Sequence, residues 1–173
     1  MKNNQVLVIM GSDSDWTVMQ KVLATLSEFA VDYEVHVASA HRTTDRALAL
    51  ARKAHHDGFD VIIAGAGAAA HLPGVLAAVT PLPVIGIPIN ATALQGLDAL
   101  YAMVQMPSGI PVATVAIDGA KNAALLAVQI LSVKDNALRQ KLIEYKDQLA
   151  EEVAIKDEKI QDLVGEMQKN KNA

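Results

Sequence analysis

The stretch QVLVIMGSDSD, residues 5–15, decides the fold. A run of branched apolar side chains stops at Gly11, and short polar residues follow before a helical pattern over Asp15–Ala30. An apolar run without polar alternation reads as a strand buried on both faces. Four more such runs follow: YEVHVA (33–38), DVIIAG (60–65), PVIGIP (83–88) and PVATVAI (111–117). Between and after them, Thr43–Asp57, His71–Val79, Ala91–Val104 and Asn122–Leu131 have helical periodicity, and Gly58 is placed to end the second helix. Strands alternating with helices imply right-handed crossovers and a parallel sheet. The expected fold is a doubly wound, three-layer α/β/α domain.

The composition agrees. A chain of 173 residues is long enough for one domain with a sizeable core. Half of it is apolar and only 3% aromatic, which suits helices packed closely on a sheet. A net charge of −4 without a Lys/Arg stripe argues against a polyanion-binding surface, so no nucleic-acid partner is expected. The absence of cysteine excludes disulfides, thiolate metal sites and a Cys nucleophile. Near the N-terminus the apolar run Val6–Met10 is too short for a secretory signal, and nothing approaches the roughly 18 apolar residues of a membrane span. A cytoplasmic protein without a membrane partner is expected.

From Asp135 onward the pattern changes to dense mixed charge with one glycine and no proline. Leu138, Leu142, Tyr145, Leu149, Val153, Ile160, Leu163 and Met167 form a narrow apolar stripe on one long helix. Such a helix cannot bury its whole stripe on one compact domain, so part of it is expected to pack on another subunit. The boundaries that follow are 1–133 for the α/β domain and 134–173 for a helical extension making oligomer contacts.

Ligands of open α/β sheets bind beyond the carboxyl ends of the strands, where the strand order reverses. The loops after the first three strands read GSDSD (11–15), SAHRT (39–43) and GAGAAAHLPG (65–74), and all three are rich in polar residues or glycine. Gly11 allows close backbone approach. Ser12 or Ser14 can cap the helix or donate to phosphate, and Asp15 can accept from ribose hydroxyls; the same residues also suit a plain capping loop. Arg42 fits a phosphate by charge and fork geometry. His41 carries the side chain that titrates nearest neutral pH. Gly65, Gly67 and Ala70 match a dinucleotide fingerprint, but after the third strand and with Asn90, not an acid, about 20 residues on, which argues against NAD. The loop reads better as a small-residue floor for a planar ligand, with Gly65, Gly67, His71 and Leu72 as contacts. His71 opens a helix, whose dipole disfavours its protonated form. His36, His55 and His56 look structural, and no spacing supports a metal site.

MGSDSDW (10–16), SAHRT (39–43), AGAGAAAHLPG (64–74), YAMVQMPSGIPVATVAI (101–117) and NAALLAVQIL (122–131) together resemble the class I N5-carboxyaminoimidazole ribonucleotide mutases, the PurE proteins of bacterial purine synthesis. The resemblance covers about residues 5–133. It implies a flavodoxin-like domain with a five-stranded parallel sheet of order 2-1-3-4-5, assembled as a homo-octamer. It implies an isomerase with no cofactor and no metal, acting on a ribonucleotide and moving its carboxylate as CO2 from the exocyclic nitrogen to ring carbon C4. It implies that Ser12, Asp15 and Arg42 bind the nucleotide, Ser39 helps to hold its phosphate, and His41 is the general acid/base. The segment AIDGAKNAALL is shorter than the usual connection of the family, and two positions depart from its pattern. Ala68 stands where many members have glycine, adding a methyl beside the ligand, and Thr44 replaces a common proline, removing a constraint on the SAHRT loop. Two alternatives stay open: direct carboxylation of aminoimidazole ribonucleotide, as in class II relatives, and a binding module that holds a phosphorylated ligand without turnover.

Overall fold

The computed structural model describes residues 5–171. Five strands, β1 (Gln5–Met10), β2 (Asp32–Val37), β3 (Val61–Gly67), β4 (Val84–Ile89) and β5 (Ala113–Thr114), form one parallel sheet in the order β2-β1-β3-β4-β5. The expected strand order and layering are observed. Helices α1 (Trp16–Glu28), α2 (Thr44–Asp57), α3 (Leu72–Ala77), α4 (Leu97–Val104) and α5 (Ala120–Ser132) cover both faces, and the long α6 (Asn136–Lys171) follows α5.

Burial on both faces explains the unbroken apolar runs. Val6, Val8 and Met10 of β1 point to one side with Ile63, Ile85 and Ile87, under α1 and α5. Leu7 and Ile9 point to the other with Ile62 and Val84, under α2, α3 and α4. The buried stripe of α2 is Ala47, Ala51 and Ala54, small side chains that let the helix lie close to the sheet. Gly58 ends α2 in the left-handed conformation at φ 98°, its N–H bonded to Ala54 and His55 carbonyls, as the sequence predicts.

Two elements differ from expectation. The helix expected from Ala91 starts at Leu97, because Gln95 (φ 53°) and Gly96 (φ 85°) turn the chain left-handed first. The last strand shrinks to two residues, Pro111 having no N–H to extend the ladder at its start. Backbone bonds from Val115 N to Gly86 O and from Asp118 N to Pro88 O still hold this segment along β4.

The start of α6 belongs to the core. The Asp135 carboxylate accepts from the Ala137 and Leu138 amides, Leu138 and Leu142 are buried, and Tyr145 stacks edge-on against Phe29 at 5.7 Å. The Lys141 ammonium donates to the Phe29 carbonyl at 3.0 Å. From Leu149 on, the stripe is exposed, with Val153 at 63% and Met167 at 68%.

Where β3 meets the loop after β4, packing leaves no room for a side chain. A Cβ on Gly67 would lie 2.5 Å from the Ala91 Cβ and 3.2 Å from the Ile89 carbonyl oxygen. Gly67→Ala is therefore expected to cost about 1–3 kcal/mol through overpacking. A thermal melt should show the midpoint falling by roughly 2–4 °C for each kcal/mol lost.

Candidate active site

β1 pairs with β2 on one side and β3 on the other, so the strand order reverses beside it. The last rungs there are Ala38 N to Met10 O at 2.9 Å and Gly11 N to Gly65 O at 3.1 Å. Beyond them the three loops part and leave a cleft of about 360 Å³. Ser12, Ser14, Asp15, Ser39, His41 and Arg42 line it, together with Gly67 and Leu72.

The GSDSD loop forms a single 3-10 turn over Asp13–Asp15 closed by a capping box. The Ser12 hydroxyl oxygen accepts from the Ser14 amide, and the Asp15 carboxylate accepts from the Ser12 amide at 3.1 Å. The plain capping function is thus present, and the same residues face the cleft. Asp15 is buried at 5% exposure. Burial raises its carboxyl above the ordinary 3.8, opposed by hydrogen bonds from the Ser12 and Gly11 amides and the Ser14 hydroxyl.

The SAHRT loop is held from within. The Ser39 Oγ accepts from the backbone amides of His41 and Arg42, and the Ser39 amide donates to Thr43 Oγ1 at 2.8 Å. Thr44 does not loosen the loop as expected: its hydroxyl donates to the Ala40 carbonyl at 2.7 Å, a tether that a proline would lack. The third loop brings His71 across, so that its Nδ1 lies 2.8 Å from His41 Nε2 with the rings nearly perpendicular at 81°. One imidazole donates its N–H to the ring nitrogen of the other, the direction being set by their tautomers.

Gly65 lies beneath the cleft and not on its wall. A Cβ there would meet the Met19 sulfur at 2.3 Å, so this glycine provides clearance for α1, while its carbonyl receives the Gly11 amide. Ala66 and Ala69 of the expected small-residue floor supply apolar wall, joined by Ala40 and Ala91, which the sequence reading did not single out. Ala91 belongs to the loop after β4, and an isolated alanine carries no signal of its own. Asp118, left-handed at φ 55°, buttresses that loop by accepting from the Asn90 amide at 3.0 Å. Among the described residues no group of three or more His, Asp or Glu is arranged to hold a metal ion.

A doubly wound, flavodoxin-like domain with a polar cleft at its topological switch point defines a class of small-ligand α/β proteins. The chain belongs to the AIR carboxylase family, whose model matches residues 5–152. An N5-carboxyaminoimidazole ribonucleotide mutase from Mycobacterium tuberculosis is 54% identical over 163 residues, 94% of each chain. The mutase of that name from Pyrococcus horikoshii is 54% identical over 165 residues, 94% of this chain and 93% of its own. The crystal structure of Treponema denticola PurE superposes with a TM-score of 0.82 at 29% identity, covering 91% of this chain and 98% of that one.

Because the Asp15 carboxyl is raised in the folded state, its contribution to stability is greatest below pH 3.8 and is lost as pH rises through the elevated value. Asp15→Asn keeps an acceptor for the Ser12 amide and removes the buried charge. Melts across the acid-to-neutral range should show the variant more stable at pH 7, with the advantage shrinking as pH falls toward 3.8.

Proposed function

We propose that this protein converts N5-carboxyaminoimidazole ribonucleotide to 4-carboxyaminoimidazole ribonucleotide in the purine pathway, with His41 as the acid/base. The observation that carries the chemistry is the meeting of His41 and His71 at 2.8 Å on the rim of an alanine-walled cleft. The mutase names of relatives at 50% identity or more support the substrate.

Ser12, Ser14 and Asp15 bind the ribose and orient the nucleotide, while Arg42 and Ser39 take its phosphate. The Ser39 Oγ already accepts two amides, which leaves its proton free to donate. His41 protonates the exocyclic nitrogen, the N–C bond to the carboxylate breaks, and CO2 leaves. The aminoimidazole is then electron-rich at C4. That carbon attacks CO2, and His41 removes the C4 proton to restore the aromatic ring, so one imidazole gives the first proton and takes the last. His71 holds the His41 ring in place through the Nδ1–Nε2 hydrogen bond. Ala66, Ala69 and Leu72 keep CO2 near C4 and exclude water.

We also infer a cytoplasmic homo-oligomer, an octamer, with residues 1–133 as the catalytic domain and the extension from 134 as an assembly element. Support comes from the exposed stripe of α6 at Leu149, Val153, Ile160 and Leu163. Truncation after Gln148 removes this stripe and spares Leu138 and Leu142. Light scattering should then report a smaller assembly whose subunits still melt cooperatively.

Product formation followed by ultraviolet absorbance tests the activity, with N5-carboxyaminoimidazole ribonucleotide in one sample and aminoimidazole ribonucleotide plus bicarbonate in another. Rapid turnover of the first alone is expected, and His41→Asn should lower it by about 10²–10⁴-fold while ligand binding persists. Faster turnover of the second would make the protein a direct carboxylase. Binding without turnover of either would leave a ligand-holding module.

A further inference from the structure

We propose that Ala68 is a positioning residue whose left-handed backbone creates the turn that delivers His71 to His41. Ala68 has φ +50°, in the region where L side chains are disfavoured and glycine is not. The chain has little freedom on either side of it. Upstream, Gly67 ends β3 and packs so close to Ala91 and Ile89 that even a Cβ has no room. Downstream, Leu72 and Pro73 open α3 and are buried. The whole reversal from strand to helix must therefore occur in residues 68–70, and among these only Ala68 is left-handed.

Two consecutive tight bonds show how sharply the chain winds. The Ala70 amide donates to the Ala68 carbonyl at 2.8 Å, and the His71 amide donates to the Ala69 carbonyl at 2.8 Å. If residue 68 relaxed to the right-handed or extended region, the following residues would take a different direction and the His71 ring would leave His41. The methyl of Ala68 also lies at the cleft, so crowding of the ligand is the competing account of this position.

Glycine, asparagine and valine at position 68 separate the two accounts. Asparagine and valine are similar in size, but asparagine tolerates the left-handed region and a β-branched residue does not. The kinetic arm rests on the proposed mutase activity; the melting and NMR arms do not. Melting midpoints are expected in the order Gly, Asn, Ala, Val, with Ala68→Gly higher than the parent by roughly 2–4 °C. Imidazole ¹⁵N spectra should keep the His41–His71 bond in the Gly and Asn variants and lose it in Val. Crowding should raise KM similarly for Asn and Val, whereas misplacement of His71 should lower kcat by roughly tenfold or more in Val relative to Asn. A midpoint that falls in Ala68→Gly, or Asn and Val variants that match in kcat and imidazole spectra, would overturn the assignment. If the Val variant does not fold, the Gly and Asn midpoints relative to Ala still decide. If the parent enzyme is inactive on both substrates, melting and imidazole spectra test Ala68 while the functional proposal alone fails.

Discussion

Parallel pairing of β1 on both its edges is the constraint from which the cleft follows. From the adjacent pair β1 and β3 the chain runs outward in opposite directions, β1 connecting to β2 on one side and β3 connecting to β4 on the other. The chain leaves β1 at Gly11 under the Gly65 carbonyl, while it leaves β2 at Ala38 beside Met10. The connection after β1 passes to the face of α1 and the connection after β3 to the face of α3, so a gap opens where β1 and β3 end side by side. That gap is lined by backbone groups at strand ends and by the first side chains of each loop, so polar residues can gather at the edge of an otherwise apolar sheet.

The three loops meet this constraint by different means. In the first, a capping box holds the Asp15 carboxylate in a buried position that opposes its ionisation. In the second, Ser39, Thr43 and Thr44 tie the backbone around His41 and Arg42, so an arginine and a histidine that are both exposed still have a fixed origin. The third uses small residues and a left-handed alanine to turn within three positions. Loops carry the chemistry, but short-range bonds make them nearly as determined as the strands.

The same chain separates stability from assembly along one helix. The first three turns of α6 cover the end of the core through Leu138, Leu142 and Tyr145, with Lys141 fastened to Phe29. The remaining turns carry apolar side chains with nothing of their own domain beneath them. A single helix thus joins a surface the subunit needs for folding to one it presents outward.

Much of this was legible in the residues themselves. The five apolar runs specified a parallel sheet because only burial on both faces permits strands without alternation. The motifs GSDSD, SAHRT and AHLPG marked the loops of the cleft, since capping, charge and titration are properties of residue types. The tertiary structure decided what depends on relative position. It brought His71 to 2.8 Å from His41 across 30 residues, set Gly65 beneath the site as clearance for Met19, and placed Ala91 in the wall. It also made Thr44 a tether, and it delayed α4 until Leu97 through left-handed Gln95 and Gly96. A sequence specifies which groups can cap, pair or titrate, but distances between loops are fixed only when packing of the layers between them sets where each strand ends.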